Sequence, residues 1–132
     1  MPLRFFTQDE ARAALPDVRR YAERLVGSRA DQIATQARVA ELTAAAAGNG
    51  HRLDSELLVA LHEGLDRANT ALAEALTALE EIGVVVKDLD AGLIDFPALR
   101  DGEQVFLCWQ LGEVDVAWWH GLDEGFRSRK PL

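Results

Sequence analysis

The chain has 132 residues, 48% of them hydrophobic, which suits one domain (1–132) with a substantial core. A formal net charge of −8 argues against nucleic acid as a partner, because that binding rests on Lys and Arg neutralising phosphates. One cysteine excludes an internal disulfide, and neither a signal-peptide core in MPLRFFTQDE nor an apolar run of membrane-spanning length is present, so the expectation is a cytoplasmic protein with no membrane partner.

Residues 1–83 repeat every three to four positions, the helical period, and residues 84–132 alternate every two, the strand period. Thr7-Gln8-Asp9-Glu10 fits a capping box, with Phe5 or Phe6 placed to staple onto the first turn. Pro16 removes a donor and disfavours helical geometry at Leu15, so the reading is a short helix near 8–14 and then a long helix with Pro16 in its first turn. That helix carries Val18, Ala22, Leu25, Ile33, Ala37, Ala40, Ala44 and Ala47 on one stripe, interrupted by Arg29, with Gly27-Ser28 as a bend. Gly48-Asn49-Gly50 stops it. Asp54 or Ser55 caps the next helix, where Leu58, Leu61, Leu65, Ala68, Leu72, Ala75, Leu79 and Ile82 form a seam of coiled-coil type before Gly83 ends it.

Two long helices joined by a short loop run antiparallel. Setting Ala47 opposite Ser55 brings Arg24 near Glu74, and Arg19 and Arg20 near Glu81 and Glu80. His62 and Asp66 stand one turn apart on the second helix, a spacing that suits a metal but is usually a solvated surface.

After Gly83, Val84–Lys87 reads as a strand, 88–92 as a turn and Leu93–Pro97 as a second strand. Residues 103–109 and 114–120 form a further hairpin if Leu111-Gly112 makes its two-residue turn. Alternation then puts Val105, Leu107, Trp109, Val114, Val116 and Trp118 on one face, to be covered by the helices. Gln104, Phe106, Cys108, Gln110, Glu113, Asp115, Ala117 and Trp119 share the other, with Cys108 opposite Asp115. His120 falls on the apolar side, so no metal cluster forms from Glu113, Asp115 and His120 of this strand alone unless a bulge reverses the alternation. The fold class expected is α+β: a long antiparallel helical hairpin with a short N-terminal helix, packed on a small antiparallel sheet.

The residues able to carry chemistry lie at the sheet's ends: Lys87, Asp88 and Asp95 at strand ends, Glu113 at a turn, His120 closing the last strand, and Arg129 folding back from the basic tail of Arg127, Arg129 and Lys130. Carboxylates and an imidazole suit a divalent metal, with His120, Glu113 and Asp95 as its candidates, while Lys, His and Arg suit an anionic small molecule. No cofactor is required by the sequence. Cys108, mid-strand among aromatics and with no histidine on its face, reads as an inert buried thiol.

Several segments also carry a resemblance. Lys87-Asp88, Gly92-Leu93-Ile94-Asp95-Phe96-Pro97, Leu107-Cys108-Trp109, Gly112-Glu113, Trp119-His120, Gly125-Phe126, Arg129 and Pro131-Leu132 stand in the back third, and Phe6-Thr7, Glu10-Ala11 and Leu15-Pro16 in the front. On these the chain resembles an uncharacterised bacterial family, the domain-of-unknown-function family numbered twenty-two oh three. The resemblance implies no activity. The sequence shows no phosphate loop, paired-cysteine zinc motif, His-Glu-x-x-His or nucleophile elbow. The function expected is therefore a small interaction or binding module acting as a homodimer, with a metal- or anion-binding enzyme as the alternative.

Overall fold

A computed structural model describes residues 4–49 and 54–132. Its elements are helices α1 (Gln8–Asn49) and α2 (Ser55–Ile82), then strands β1 (Val85–Asp88), β2 (Leu93–Arg100), β3 (Glu103–Gln110), β4 (Trp118–Gly121) and β5 (Lys130–Pro131). The five strands form one antiparallel meander in chain order. The class is α+β, with the sheet built from the C-terminal part.

The capping box is formed. The Glu10 amide donates to Thr7 Oγ1 at 3.1 Å, and the Thr7 amide donates to Glu10 Oε1 at 3.0 Å. Phe6, not Phe5, enters the core, its ring edge-on to Phe96 at 5.2 Å. The short helix expected at 8–14 is no separate element: α1 runs through Pro16 without a break. Ala11, Leu15, Val18, Ala22 and Leu25 lie in one buried line across that position, and their packing outweighs the single backbone bond that proline forfeits.

The distal part of α1 departs from the expected stripe. Ile33 is 46% exposed, and Ala37, Ala40, Ala44 and Ala47 face outward. The seam instead continues through Ser28, Gln32, Thr35, Val39 and Leu42, each buried or half-buried. Steps of three and four from Leu25 lead to these residues, but three of them are polar, and a search for apolar side chains shifts one position aside. Gln32 Nε2 donates across the pair to Asn69 Oδ1 at 2.7 Å. The α2 seam lies as expected, with Ala68, Ala75 and Leu79 fully buried and the other positions half-buried.

Asp54 caps α2, accepting from the Leu57 amide at 3.0 Å, and Gly83 closes it at φ 103°. The expected stop of α1 extends to Gly50, which lies outside the described residues. Arg24 does pair with Glu74, at 2.7 Å. Arg19 and Arg20 do not reach Glu81 and Glu80: Arg20 pairs with Asp17 within its own helix, and Arg19 donates to the carbonyls of Glu113 and Val114.

Those last bonds explain the largest correction in the sheet. Leu111-Gly112 does make a tight turn, with Gly112 at φ 105° and the Glu113 amide bonded to the Gln110 carbonyl at 3.0 Å. Residues 113–117 then leave the sheet. Three side chains of α1 hold them: Gln8 donates to the Val116 carbonyl, Arg12 pairs with Asp115, and Arg19 grips the two carbonyls already named. Val116 enters the core, whereas Val114 stands 90% exposed. When pairing resumes, Phe106 faces His120 and Cys108 faces Trp118. This is a slip of three residues from the expected register, and an odd slip exchanges the faces. Trp119, not Trp118, packs on the core, and His120 moves to the side of Cys108.

Two further turns position the strands. Asp101-Gly102 joins β2 to β3 with positive φ at both residues, 52° and 82°, the mirror-image turn whose twist suits adjacent strands. Gly92 sits at φ 70° where a Cβ would come within 2.8 Å of Leu111, so only glycine fits between the first turn and the third strand.

Candidate functional site

The sheet has a helix-covered face and an outer face. Ile94, Phe96, Ala98, Val105, Leu107 and Trp109 point to the helices and join the proximal halves of α1 and α2 in one core. The residues between them point outward. Neighbouring positions on three strands therefore bring Asp95 (β2), Cys108 (β3) and His120 (β4) together, since Asp95 is the cross-strand partner of Cys108 and Phe106 that of His120. Their exposures are 1%, 0% and 3%.

The ligand-type atoms of the three side chains all lie within 4.8 Å of one another. His120 Nε2 is 3.0 Å from Asp95 Oδ2, and its Nδ1 is 2.8 Å from the Gly121 carbonyl oxygen. A carbonyl only accepts, so Nδ1 carries a hydrogen. A hydrogen bond between Nε2 and Oδ2 then requires one further proton, carried by one of the two groups. Asp95 Oδ1 is buried without a hydrogen-bond partner, with only the weakly donating Cys108 thiol near the carboxylate. Burial pushes the Asp95 carboxyl above its usual range, and the adjacent His120 and then Lys87 pull it partly back. The Cys108 thiol is pushed up to about 12 by burial and by the Asp95 charge, against an opposing hydrogen bond from Arg129. A thiol held there is not a nucleophile at neutral pH.

Arg129 and Glu113 flank the cluster. Guanidinium Nη1 donates to Glu113 Oε1 at 2.9 Å, Nη2 lies 2.9 Å from Oε2, and the same carboxylate accepts from the Gln110 amide at 2.7 Å. Arg129 lies over the Trp118 ring at 4.8 Å and the Phe126 ring at 4.0 Å, and its pKa is raised chiefly by the Glu113 bond. Lys87, the extra residue at a bulge in β1, places Nζ 4.4 Å over Phe106, whose ring centre is 5.6 Å from that of His120. Asp88 stands apart: its Oδ1 accepts from the amides of Asp90 and Ala91 and holds the first turn. His62 and Asp66 are exposed on α2, away from the cluster.

Of the residues singled out in the sequence, Asp95 and His120 are thus in direct contact, Arg129 with Glu113 and Lys87 border them, and Asp88 serves a turn. Cys108, set aside as having no histidine on its face and lying opposite Asp115, in fact lies opposite Asp95 and beside His120. The location also differs from the expected end of the sheet: the cluster is central on the outer face. The signal that could have found it is Asp95 itself, a carboxylate inside the apolar run Leu93–Ala98.

These features define a helical-hairpin and β-meander protein with a buried Asp–Cys–His cluster. The chain belongs to the uncharacterized conserved protein family DUF2203, whose profile matches residues 4–132. No curated protein and no solved structure matches it. Among the described residues, no helix is long and apolar enough to cross a membrane.

Proposed function

We propose that the chain is a cytoplasmic binding module that works as a homodimer through its helical arm. The observation that carries this reading is the distal half of the hairpin. Beyond Ser28 on α1 and before Ala68 on α2 no described residue is fully buried, and Leu42, Leu57, Leu58, Leu61 and Leu65 are only half-covered. Beside them Ile33, Ala37, Ala40 and Ala44 form an exposed stripe at spacings of four and three. Two helices do not cover their own apolar surface, whereas two hairpins packed about a twofold axis form a four-helix bundle that does. The small alanines allow a close approach of backbones in such a bundle.

An enzymatic role at the cluster draws less support. Its thiol is protonated, its imidazole is engaged at both nitrogens, and the Arg129–Glu113 pair is self-satisfied. An unbridged, fully buried thiol also suits a reducing compartment.

Light scattering coupled to size-exclusion chromatography tests the dimer. The wild-type chain is expected at twice its chain mass. Ala40→Glu and Ile33→Glu, each placing a charge on the stripe, are expected to give one chain mass with unchanged circular dichroism. A wild-type chain that remains monomeric at every concentration overturns the reading.

A further inference from the structure

Beyond the pairing of chains, the geometry points to a metal centre: we infer that Asp95, Cys108 and His120 bind one divalent transition-metal ion of the zinc class. The donors are a carboxylate oxygen, Sγ and imidazole Nε2, with a fourth position left to water or an anion.

Four observations carry this. The donor atoms come from adjacent strands of one rigid sheet and lie within 4.8 Å of one another, a spread that modest side-chain rotation closes around an ion. The histidine is oriented as a metal ligand is oriented: Nδ1–H is fixed on the Gly121 carbonyl at 2.8 Å, and Nε2 is thereby the nitrogen turned to the other donors. That carbonyl is itself held, because the Gly121 amide donates to Glu124 Oε1 at 2.9 Å and Lys130 binds the same carboxylate at 3.0 Å. Finally, Asp95 Oδ1 is enclosed without a partner, which a cation would supply.

The donor set also selects the ion. Thiolate with imidazole is a soft to borderline pair, favouring zinc, cobalt(II) or copper over calcium and magnesium, which need several oxygen donors. Charge agrees with a divalent ion. A carboxylate and a thiolate carry two negative charges, so the loaded centre is neutral, and a neutral centre is what a fully buried position tolerates. The neighbouring cations then face no net charge: Arg129 is already neutralised by Glu113, and the Lys87 ammonium rests on Phe106. Loading releases two protons to solvent per ion, one from the thiol and one from the Asp95–His120 bond, while Nδ1 keeps its hydrogen.

Cobalt(II) titration of the purified full-length chain tests the site. Cys108 is the only cysteine, so a thiolate-to-cobalt charge-transfer band reports this residue and no other. The expected result is a band that saturates at one cobalt per chain, with visible d–d absorption of tetrahedral strength, both bleached by one equivalent of zinc. Asp95→Asn and His120→Gln are expected to weaken cobalt binding at least tenfold, and Cys108→Ser to abolish the band, while His62→Ala leaves it unchanged. Zinc should also raise the Tm of the wild-type chain, a readout that needs no variant to fold. A folded wild-type chain that gives no charge-transfer band and no zinc-dependent Tm shift overturns the proposal, as does a band that survives both Asp95→Asn and His120→Gln. The dimer is judged separately by its mass, so either idea can fail without the other.

Discussion

Asp95 and His120 show how strongly a single buried pair depends on what its partner can offer. The carboxylate is disfavoured by burial and supported by the imidazole, so deleting one side leaves the other enclosed and unpaired. Asp95→Ala is expected to cost about 3–5 kcal/mol in chemical denaturation, the range for breaking a buried pair. Asp95→Asn should cost about 1 kcal/mol or less, because its amide N–H can donate to Nε2 of a neutral imidazole while Nδ1–H keeps the Gly121 carbonyl. Equal losses for the two variants would show that an isosteric neutral amide cannot replace the carboxylate, so that charge, not volume or neutral hydrogen bonding, governs the position. The residues of this cluster were readable one at a time, but their meeting was not. Alternation assigns faces only within a given register, and the departure of residues 113–117 from the sheet is dictated by Gln8, Arg12 and Arg19, about a hundred residues earlier.

At the scale of the elements, α1 carries two features with opposite consequences. Its capping box lowers the Glu10 carboxyl below the ordinary value of 4.5, mainly through the Thr7 amide and then the Thr7 hydroxyl. A carboxyl lowered in the folded state contributes stability that is present above its unfolded value and lost as pH falls through its folded one. Glu10→Gln is therefore expected to flatten the loss of stability in the acid range without changing its slope near neutrality, as measured by urea unfolding at stepped pH. Pro16 acts the other way. It lies on the exposed side of α1 and withholds the hydrogen bond that residue would donate to the Arg12 carbonyl. Pro16→Ala should stabilise the protein by about 1–3 kcal/mol, the interior proline penalty. An unchanged or lower midpoint would mean that the helix has adapted its geometry to the ring. The sequence marked the proline as a boundary because local propensity argues for one; the buried line from Ala11 to Leu25 overrides it.

Across the whole molecule, burial is uneven. The proximal halves of both helices close over the sheet with Trp109, Phe96 and Leu25 at zero exposure, while the distal arm has only half-covered side chains. Local opening should follow that gradient. In native-state hydrogen exchange, amides at 18–25 and 75–79 are expected to exchange only with global unfolding, and those at 39–46 and 57–61 orders of magnitude faster. If the arm pairs with a second copy, raising the protein concentration should slow exchange in the arm alone. Uniform protection along both helices at low concentration would show that the arm needs no partner for its stability.

The features legible in the chain alone are those carried by short-range physics. The helical and strand periods, the capping box at Thr7, a cap at Asp54 or Ser55, the stop at Gly83, the turn at Leu111-Gly112 and the inward face of Val105, Leu107 and Trp109 each depend on a few neighbouring residues. Long-range packing sets how those pieces meet: which side of the distal α1 faces α2, how far β4 slides along β3, and hence that Asp95, Cys108 and His120 share one buried place. Polar residues in a packed seam and a looped-out segment leave no periodic trace, because their positions are set by contacts between residues far apart in the chain.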